Sequence, residues 1–233
     1  MKKSFTLISA SLLTLTVIGA ATSASAASIS ANQWDSKGTV SFTENNTVPP
    51  VTNPGIPDKQ PDITGVTGPL AIDYASDLDF GTHQVQSGTQ TYYAKADAVT
   101  GGAAQVRMHD QRGAAKGWDV SVQQKGQFTD GTTDLTGAQL AFSKGVSMNV
   151  SSTGTYVPTY NSSLSSLDPA ATSGVKVMEG DGTVGGYATV FGTTADYTAN
   201  TDGTTETPIS LTVPSGKVGT FTTTLEYTLT AAQ

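Results

Sequence analysis

Apolar side chains recur at every second position through much of this chain, and this alternation limits the folds it can adopt. Residues two apart point to the same face of a β-strand, so each run predicts a strand with one buried face. Turn sequences such as Thr129-Asp130-Gly131 and Asp181-Gly182 separate the runs. The chain is therefore predicted to be all-β, as an antiparallel β-sandwich of two packed sheets. The alternating sets are Leu70/Ile72/Tyr74, Trp118/Val120/Val122, Ala138/Leu140/Phe142, Val146/Met148/Val150, Tyr187/Thr189/Phe191, Ile209/Leu211/Val213 and Phe221/Thr223/Leu225/Tyr227/Leu229.

The first 26 residues have the composition of a signal peptide. Lys2 and Lys3 give a positive start, an apolar stretch follows from residue 7 to residue 20, and Ala24-Ser25-Ala26 supplies small residues for cleavage. The stretch is shorter than the roughly 20 residues that a membrane span requires. We therefore predict an exported protein, cleaved after Ala26, that does not insert into the membrane afterwards.

Three further segments are predicted after the leader. Residues 27–44 contain the alternating run Thr39–Thr43, which predicts either a strand that docks on the main sheets or a disordered arm. Residues 45–69 hold six prolines and few large apolar side chains, so they are expected to form an extended, exposed connection. Residues 70–233 are expected to form one β-sandwich domain.

Charge and cysteine content exclude several functions. The formal net charge is −7, and loss of the two positive charges of Lys2 and Lys3 with the leader makes it −9. Nucleic acid, anionic lipid and polyanionic wall polymers would be repelled by such a chain. The absence of cysteine removes disulfides, thiolate metal sites, a cysteine nucleophile and a lipoprotein anchor.

No catalytic set is apparent in the sequence. The histidines are His83 and His109, no Gly-x-Ser-x-Gly elbow is present, and both histidines are expected at the surface. His109 precedes Asp110, but adjacent strand residues face opposite ways and do not make a base with its orienting acid. Asp77 and Asp79 are expected to be solvated acids, and no segment matches a calcium loop. No catalytic residue, metal or cofactor is therefore predicted.

Two segments resemble the signature sequences of the WxL family of bacterial cell-wall-attachment domains. The first runs from Asp110-Gln111-Arg112-Gly113 to Gly117-Trp118-Asp119-Val120-Ser121-Val122, and the second is Thr224-Leu225-Glu226-Tyr227-Thr228-Leu229. Gly38–Phe42, Gly68-Pro69-Leu70 and Leu78-Asp79-Phe80-Gly81 also agree with the family. The resemblance departs from the usual pattern at Val120, where leucine is expected, and at Tyr227, where tryptophan is expected.

The resemblance implies a protein of low-GC Gram-positive bacteria that associates non-covalently with the cell wall through peptidoglycan. It also implies larger WxL proteins and a membrane-anchored protein as partners. The sequence leaves two alternatives open. One is a structural subunit of a surface complex whose ligand is another protein, and the other, ranked last, is a secreted hydrolase.

Five residues are candidates for ligand contact by this resemblance. Trp118 and Tyr227 would offer an aromatic platform to sugar rings or stem peptides, with Val120 and Leu229 extending its apolar edge. The alternative, which the flanking valines favour for Trp118, is that these side chains are core. Arg112 would either clamp a carboxylate of the ligand or form an internal salt bridge that orders the turn before Trp118.

Overall fold

Antiparallel strands are the main regular secondary structure of the described residues in the computed structural model. The structure describes residues 28–30, 33–34, 40, 68–113, 116–151 and 154–232. Within these ranges, one short helix, α1 (Thr194–Thr198), accompanies the strands. The strands are β1 (Ser28–Ser30), β2 (Gln33–Trp34), β3 (Leu70–Ala75), β4 (Gln90–Tyr93), β5 (Gln105–Asp110), β6 (Trp118–Gln124), β7 (Gln139–Phe142), β8 (Gly145–Asn149), β9 (Thr159–Tyr160), β10 (Ser166–Leu167), β11 (Val175–Gly180), β12 (Gly185–Phe191), β13 (Ile209–Val213) and β14 (Leu225–Ala231).

The chain divides into two compact units, residues 1–43 and residues 44–233. In the first unit, β1 pairs with β2, and Val40 is exposed. The predicted leader, the rest of the Thr39–Thr43 run and the proline-rich connection up to residue 67 lie outside the described residues. No helix in the described ranges is long and apolar enough to cross a membrane.

The second unit contains three four-stranded sheets, all with antiparallel neighbours. Their strand orders are β3-β5-β12-β8, β14-β6-β11-β9 and β10-β7-β13-β4. The all-β, sandwich-like fold is as predicted, but the sequence led us to expect two sheets. The third arises because β4, β7 and β13 pair among themselves rather than extending either of the other two sheets.

Alternating exposure confirms the predicted strands most clearly in β6. Its seven residues are buried and half-buried in strict alternation, with Trp118, Val120 and Val122 on the buried face. By contrast, every residue of β12 is buried, because this strand lies between β5 and β8 and both of its faces are covered. Phe221 and Thr223 were predicted to continue the last strand, but β14 begins only at Leu225.

The core of this unit consists of two apolar clusters. The larger one joins all three sheets through ring contacts. Trp118 of β6 lies 5.5 Å from Tyr187 of β12, and Phe142 of β7 lies 5.1 Å from Phe191 of β12, both between ring centroids. The smaller cluster contains Phe128, Leu135, Ala138, Leu211 and Val213. Phe80 packs against both clusters and so lies at their junction.

Candidate functional site

The two signature segments lie side by side in one sheet. β6 carries Trp118 and β14 carries Tyr227, and the two strands pair along their whole length. Leu229 is opposite Val120, and Tyr227 is opposite Val122. Residues directly opposite in an antiparallel pair project from the same face, so the apolar side chains of both signatures point toward the core.

Trp118 and Val120 are part of that core. The Trp118 side chain is only 3% exposed and Val120 is fully buried. The indole packs against Tyr187 and over the backbone of Gly180 on β11, where a Cβ would overlap the ring. These positions agree with the packing alternative, and a direct ligand contact by either residue stays a prediction.

Tyr227 and Leu229 are less enclosed because β14 is the outermost strand of its sheet. Both side chains are half-buried against the larger cluster. Burial raises the pKa of the Tyr227 phenol above its ordinary value of 10.0, and no hydrogen bond contributes to that shift. No described residue forms a hydrogen bond with the Tyr227 hydroxyl.

Arg112 forms an internal ion pair. Its Nε and Nη2 atoms donate to the two oxygens of Asp110, at 3.1 and 2.8 Å, and Nη2 also donates to the Lys116 carbonyl at 2.7 Å. The Asp110 carboxylate is fully buried. The bidentate pair and the loop carbonyl occupy much of the guanidinium, and they order the turn that leads into β6.

The expectation that both histidines lie at the surface was wrong. His109 is fully buried, and its Nδ1 lies 2.6 Å from Asp73 while its Nε2 lies 3.0 Å from the Gly68 carbonyl. A carbonyl and an ionised carboxylate are both acceptors, so these two contacts favour a ring that donates from both nitrogens, which is the cationic form. Burial lowers the pKa of His109, but the bonds to Asp73 and Gly68 outweigh it and hold the pKa above 6.5. Since Asp73 is 36 residues away in sequence, adjacency to Asp110 gave no sign of this pairing.

A large cleft opens where the two core clusters meet. Its volume is about 790 Å³, within the range of roughly 300–1,000 Å³ that ligand pockets have. Segment 75–85 forms one wall, and residues 216–217 and 219–225 together with Tyr227 form the other. The floor consists of Phe128, Leu135, Leu140, Leu211 and Val213.

Aromatic side chains with partly exposed surfaces line this cleft. Phe80, Tyr92, Phe221 and Tyr227 are all half-buried. His83 stacks on Tyr92 with ring centroids 4.0 Å apart, and it also contacts the Phe80 carbonyl at 2.6 Å through Nε2. The cleft therefore combines flat apolar surface with polar groups at its rim.

The first wall is fixed by backbone contacts around Gly81. Its φ of 85° favours glycine, and a Cβ at this position would overlap the Asp202 carbonyl. Asp79 accepts from the Gly81 amide at 2.8 Å and pairs with Lys95 at 2.6 Å, and these contacts hold the pKa of Asp79 below its usual range. Leu78 and Phe80 are thereby presented to the cleft on a rigid loop.

The second wall is anchored to the turn before β7. Thr222 and Thr129 exchange two backbone hydrogen bonds of 2.9 Å, and Thr223 donates its hydroxyl to the Gly126 carbonyl. Thr220, Thr222 and Thr224 are exposed along this wall. These threonines add polar residues to the wall that also contains Phe221.

Of the five candidate residues from the sequence, the cleft includes Tyr227 alone. The other aromatic residues of the lining, Phe80, Tyr92, Phe128 and Phe221, were missed because they come from four separate segments, which no local pattern connects. The Leu78-Asp79-Phe80-Gly81 sequence could have indicated this region of the cleft. It carries part of the family resemblance and forms part of the first wall. No group of three or more histidine or acidic side chains in the described ranges is arranged to hold a metal ion.

The family model described as WxL domain, surface cell wall-binding, matches residues 29–232. Neither the curated proteins nor the solved structures gave a match to this chain. The matched range covers nearly the whole chain, including both paired signature strands and both walls of the cleft. The protein therefore belongs to the WxL family of surface cell wall-binding domains.

Proposed function

We propose that this protein is exported through its leader and attaches non-covalently to a Gram-positive cell wall by binding peptidoglycan. The observation that carries the proposal is the family match over residues 29–232, which leaves little chain for any other domain within the sequence. The described part of the chain supports it with a well-packed β scaffold and an open cleft of ligand-binding size.

Charge favours peptidoglycan over the anionic polymers of the wall. The chain has a formal net charge of −7, so wall polymers of the same sign are repelled. A protein of this charge is expected to bind better to peptidoglycan from which the anionic polymers have been removed.

Binding rather than catalysis is the proposed activity, and the environment of His109 supports this. Both ring nitrogens of His109 contact acceptors, which leaves no free nitrogen to act as a base. His83 contacts the Phe80 carbonyl through Nε2, and its Nδ1 stays available within the described part of the chain. Of the two histidines, His109 is therefore engaged in the fold and is not available as the base of a nucleophilic hydrolase.

Co-sedimentation with purified sacculi tests the proposal directly. The protein is mixed with peptidoglycan sacculi, half of which have been stripped of anionic polymers, and the pelleted fraction is measured. We expect retention on both preparations and more on the stripped one. Absence of the protein from both pellets would contradict the proposal, and release of soluble sugars or stem peptides would indicate a hydrolase instead.

Docking of a partner protein is a second candidate function, favoured by the position of β14. This strand pairs with β6 on one side and is an edge of its sheet within the described residues. Edge strands accept an added strand from another protein. Recovery of a membrane-anchored or larger WxL protein by the purified chain, without retention on sacculi, would favour this candidate.

A further inference from the structure

We propose that the cleft between segment 75–85 and segment 219–225 binds the glycan strand of the wall, an uncharged N-acetylated polysaccharide, through the rings of Tyr92, Phe221 and Tyr227. This inference rests on the proposed peptidoglycan attachment and assigns the contact surface within it. The site differs from the signature tryptophan, which is enclosed in the core.

The composition of the lining matches the chemistry of a sugar. A pyranose ring has apolar C–H faces and a rim of hydroxyl groups, so its binding site needs flat apolar surface beside hydrogen-bonding groups. The cleft supplies the first through the half-buried rings of Phe80, Tyr92, Phe221 and Tyr227, and the second through threonine hydroxyls and the amide of Gln84. A purely apolar ligand would leave those polar groups without partners.

The Tyr227 hydroxyl adds a specific hydrogen-bonding position. Within the described residues it has no hydrogen-bond partner, although the ring is packed against the core and lines the cleft. A ligand hydroxyl or acetamido group reaching it would form a hydrogen bond that no described residue provides. The tyrosine in place of the usual tryptophan then changes the contact rather than abolishing it.

Charged groups form a small part of the lining compared with aromatic and hydroxyl groups. Asp79 is already paired with Lys95, and Asp77 is exposed at one wall, where it would repel a carboxylate. Lys217 donates one N–H to the Asp134 carbonyl at 2.8 Å and keeps its positive charge. A stem peptide held through its carboxylates would therefore depend on Lys217, whereas a glycan would use the aromatic rings.

Both walls are held in place by the fold rather than by a ligand. Gly81 contacts the backbone of Asp202, and Thr222 is bonded through its backbone to Thr129. A preformed cleft loses little conformational entropy when a ligand binds. Affinity for a neutral polysaccharide, which offers no strong ion pair, depends on such pre-organisation.

Titration with a neutral glycan and with stem peptides tests the assignment. Soluble β-1,4-linked N-acetylglucosamine oligomers, which carry no charge, represent the glycan, and stem peptides are released from sacculi by amidase. Each is added to isotope-labelled protein while aromatic resonances are followed. We expect the neutral glycan oligomers to shift the resonances of Tyr92, Phe221 and Tyr227. A shift of these resonances by the stem peptides alone would overturn the inference.

Two variants distinguish the cleft from the rest of the surface. Thr224→Trp adds a bulky side chain at a residue that lines the cleft, and Thr228→Trp is the matched control, an exposed threonine four residues along that lies outside the lining. We expect Thr224→Trp to weaken glycan binding about ten-fold while Thr228→Trp leaves it unchanged. Tyr227→Phe removes only the hydroxyl, and about a five-fold loss is expected.

The outcomes separate this inference from the proposed function. If the parent protein is retained on sacculi and Thr224→Trp and Tyr227→Phe, with unchanged melting temperatures, are retained equally, then the cleft assignment is wrong and wall attachment stands. If the parent protein is not retained at all, wall attachment fails first. A loss in Thr224→Trp that is matched by Thr228→Trp also overturns the assignment.

Discussion

The indole ring of Trp118 lies over the backbone of Gly180, at a distance that leaves no room for a side chain on residue 180. The two residues are directly opposite in the β6–β11 pair. The glycine on the neighbouring strand is thus what allows a tryptophan to enter the core at this point. The packing of the signature residue depends on a residue more than sixty positions away.

Gly180→Ala is expected to destabilise the domain by about 1–3 kcal/mol, because the added methyl group forces the Trp118 ring from its position. Denaturant unfolding followed by tryptophan fluorescence measures the change. Gly216→Ala serves as the control, since a Cβ there meets only ordinary van der Waals contact with Val85. Equal stability of the two variants would show that the ring has room to move.

Trp118→Ala is expected to lower the free energy of unfolding by about 3–5 kcal/mol through the cavity it leaves. Sacculus binding per folded molecule should stay unchanged, because the side chain is only 3% exposed. Binding is measured at a temperature where the variant is still folded. A stable Trp118→Ala variant that no longer binds sacculi would instead make Trp118 a contact residue.

Arg112→Ala is expected to destabilise the domain by about 3–5 kcal/mol, because it leaves the buried Asp110 carboxylate without its cation. The stability of Arg112→Lys should lie between that of the parent protein and that of Arg112→Ala. An ammonium group retains the charge but cannot form the bidentate contact. Thermal unfolding of the three proteins measures the order. If both variants keep the parent melting temperature and lose sacculus binding, Arg112 acts on a ligand.

His109 makes the stability of the domain depend on pH near neutrality. Its pKa is raised in the folded protein by Asp73 and the Gly68 carbonyl, against the effect of burial, and Asp110 adds to the rise. The stabilisation is therefore complete below the ordinary pKa of 6.5 and is lost as the pH rises through the folded-state pKa. Denaturant unfolding at a series of pH values from about 6 to 9 should show decreasing stability.

His109→Gln is the control for this pH dependence. A glutamine does not titrate, so the variant should be less stable than the parent at pH 6 and should lose less stability on the way to pH 9. Asp73, which contacts the ring, and Asp110, whose charge acts on it, both remain in the variant, so any contribution of their own is retained. A parent protein whose stability stays level or rises over this range would contradict the assignment of a cationic ring.

Alternation of apolar and polar residues predicts most clearly a strand that has one buried and one more exposed face. β6 shows this well, since its apolar residues alternate with half-buried polar ones. β5 was missed because polar residues on it are buried as well, among them Gln105, Arg107 and His109. Burial of such residues depends on partners from other segments, as Asp73 is for His109, and alternation carries no information about them.

The candidate site was predictable only in part, and for a similar reason. Tyr227 was singled out by its signature, but the cleft it lines also needs Tyr92 of β4 and Phe221 from the segment before β14. These residues meet because β4 and β14 belong to different sheets whose core clusters join at Phe80. The number of sheets, two expected and three found, was the part of the architecture that decided where the cleft forms.

The pairing of β14 with β6 also sets when the domain can finish folding. Lys125 and Glu226, at one end of this pair, are 101 residues apart in sequence. Contacts over such separations form slowly, because the chain loses the entropy of closing a long loop before the contact can stabilise it. Until β14 arrives, β6 presents an open edge with Val120 and Val122 beside it. If the chain is exported as proposed, the domain would stay incomplete until β14 had emerged, and this interval would carry its greatest risk of aggregation.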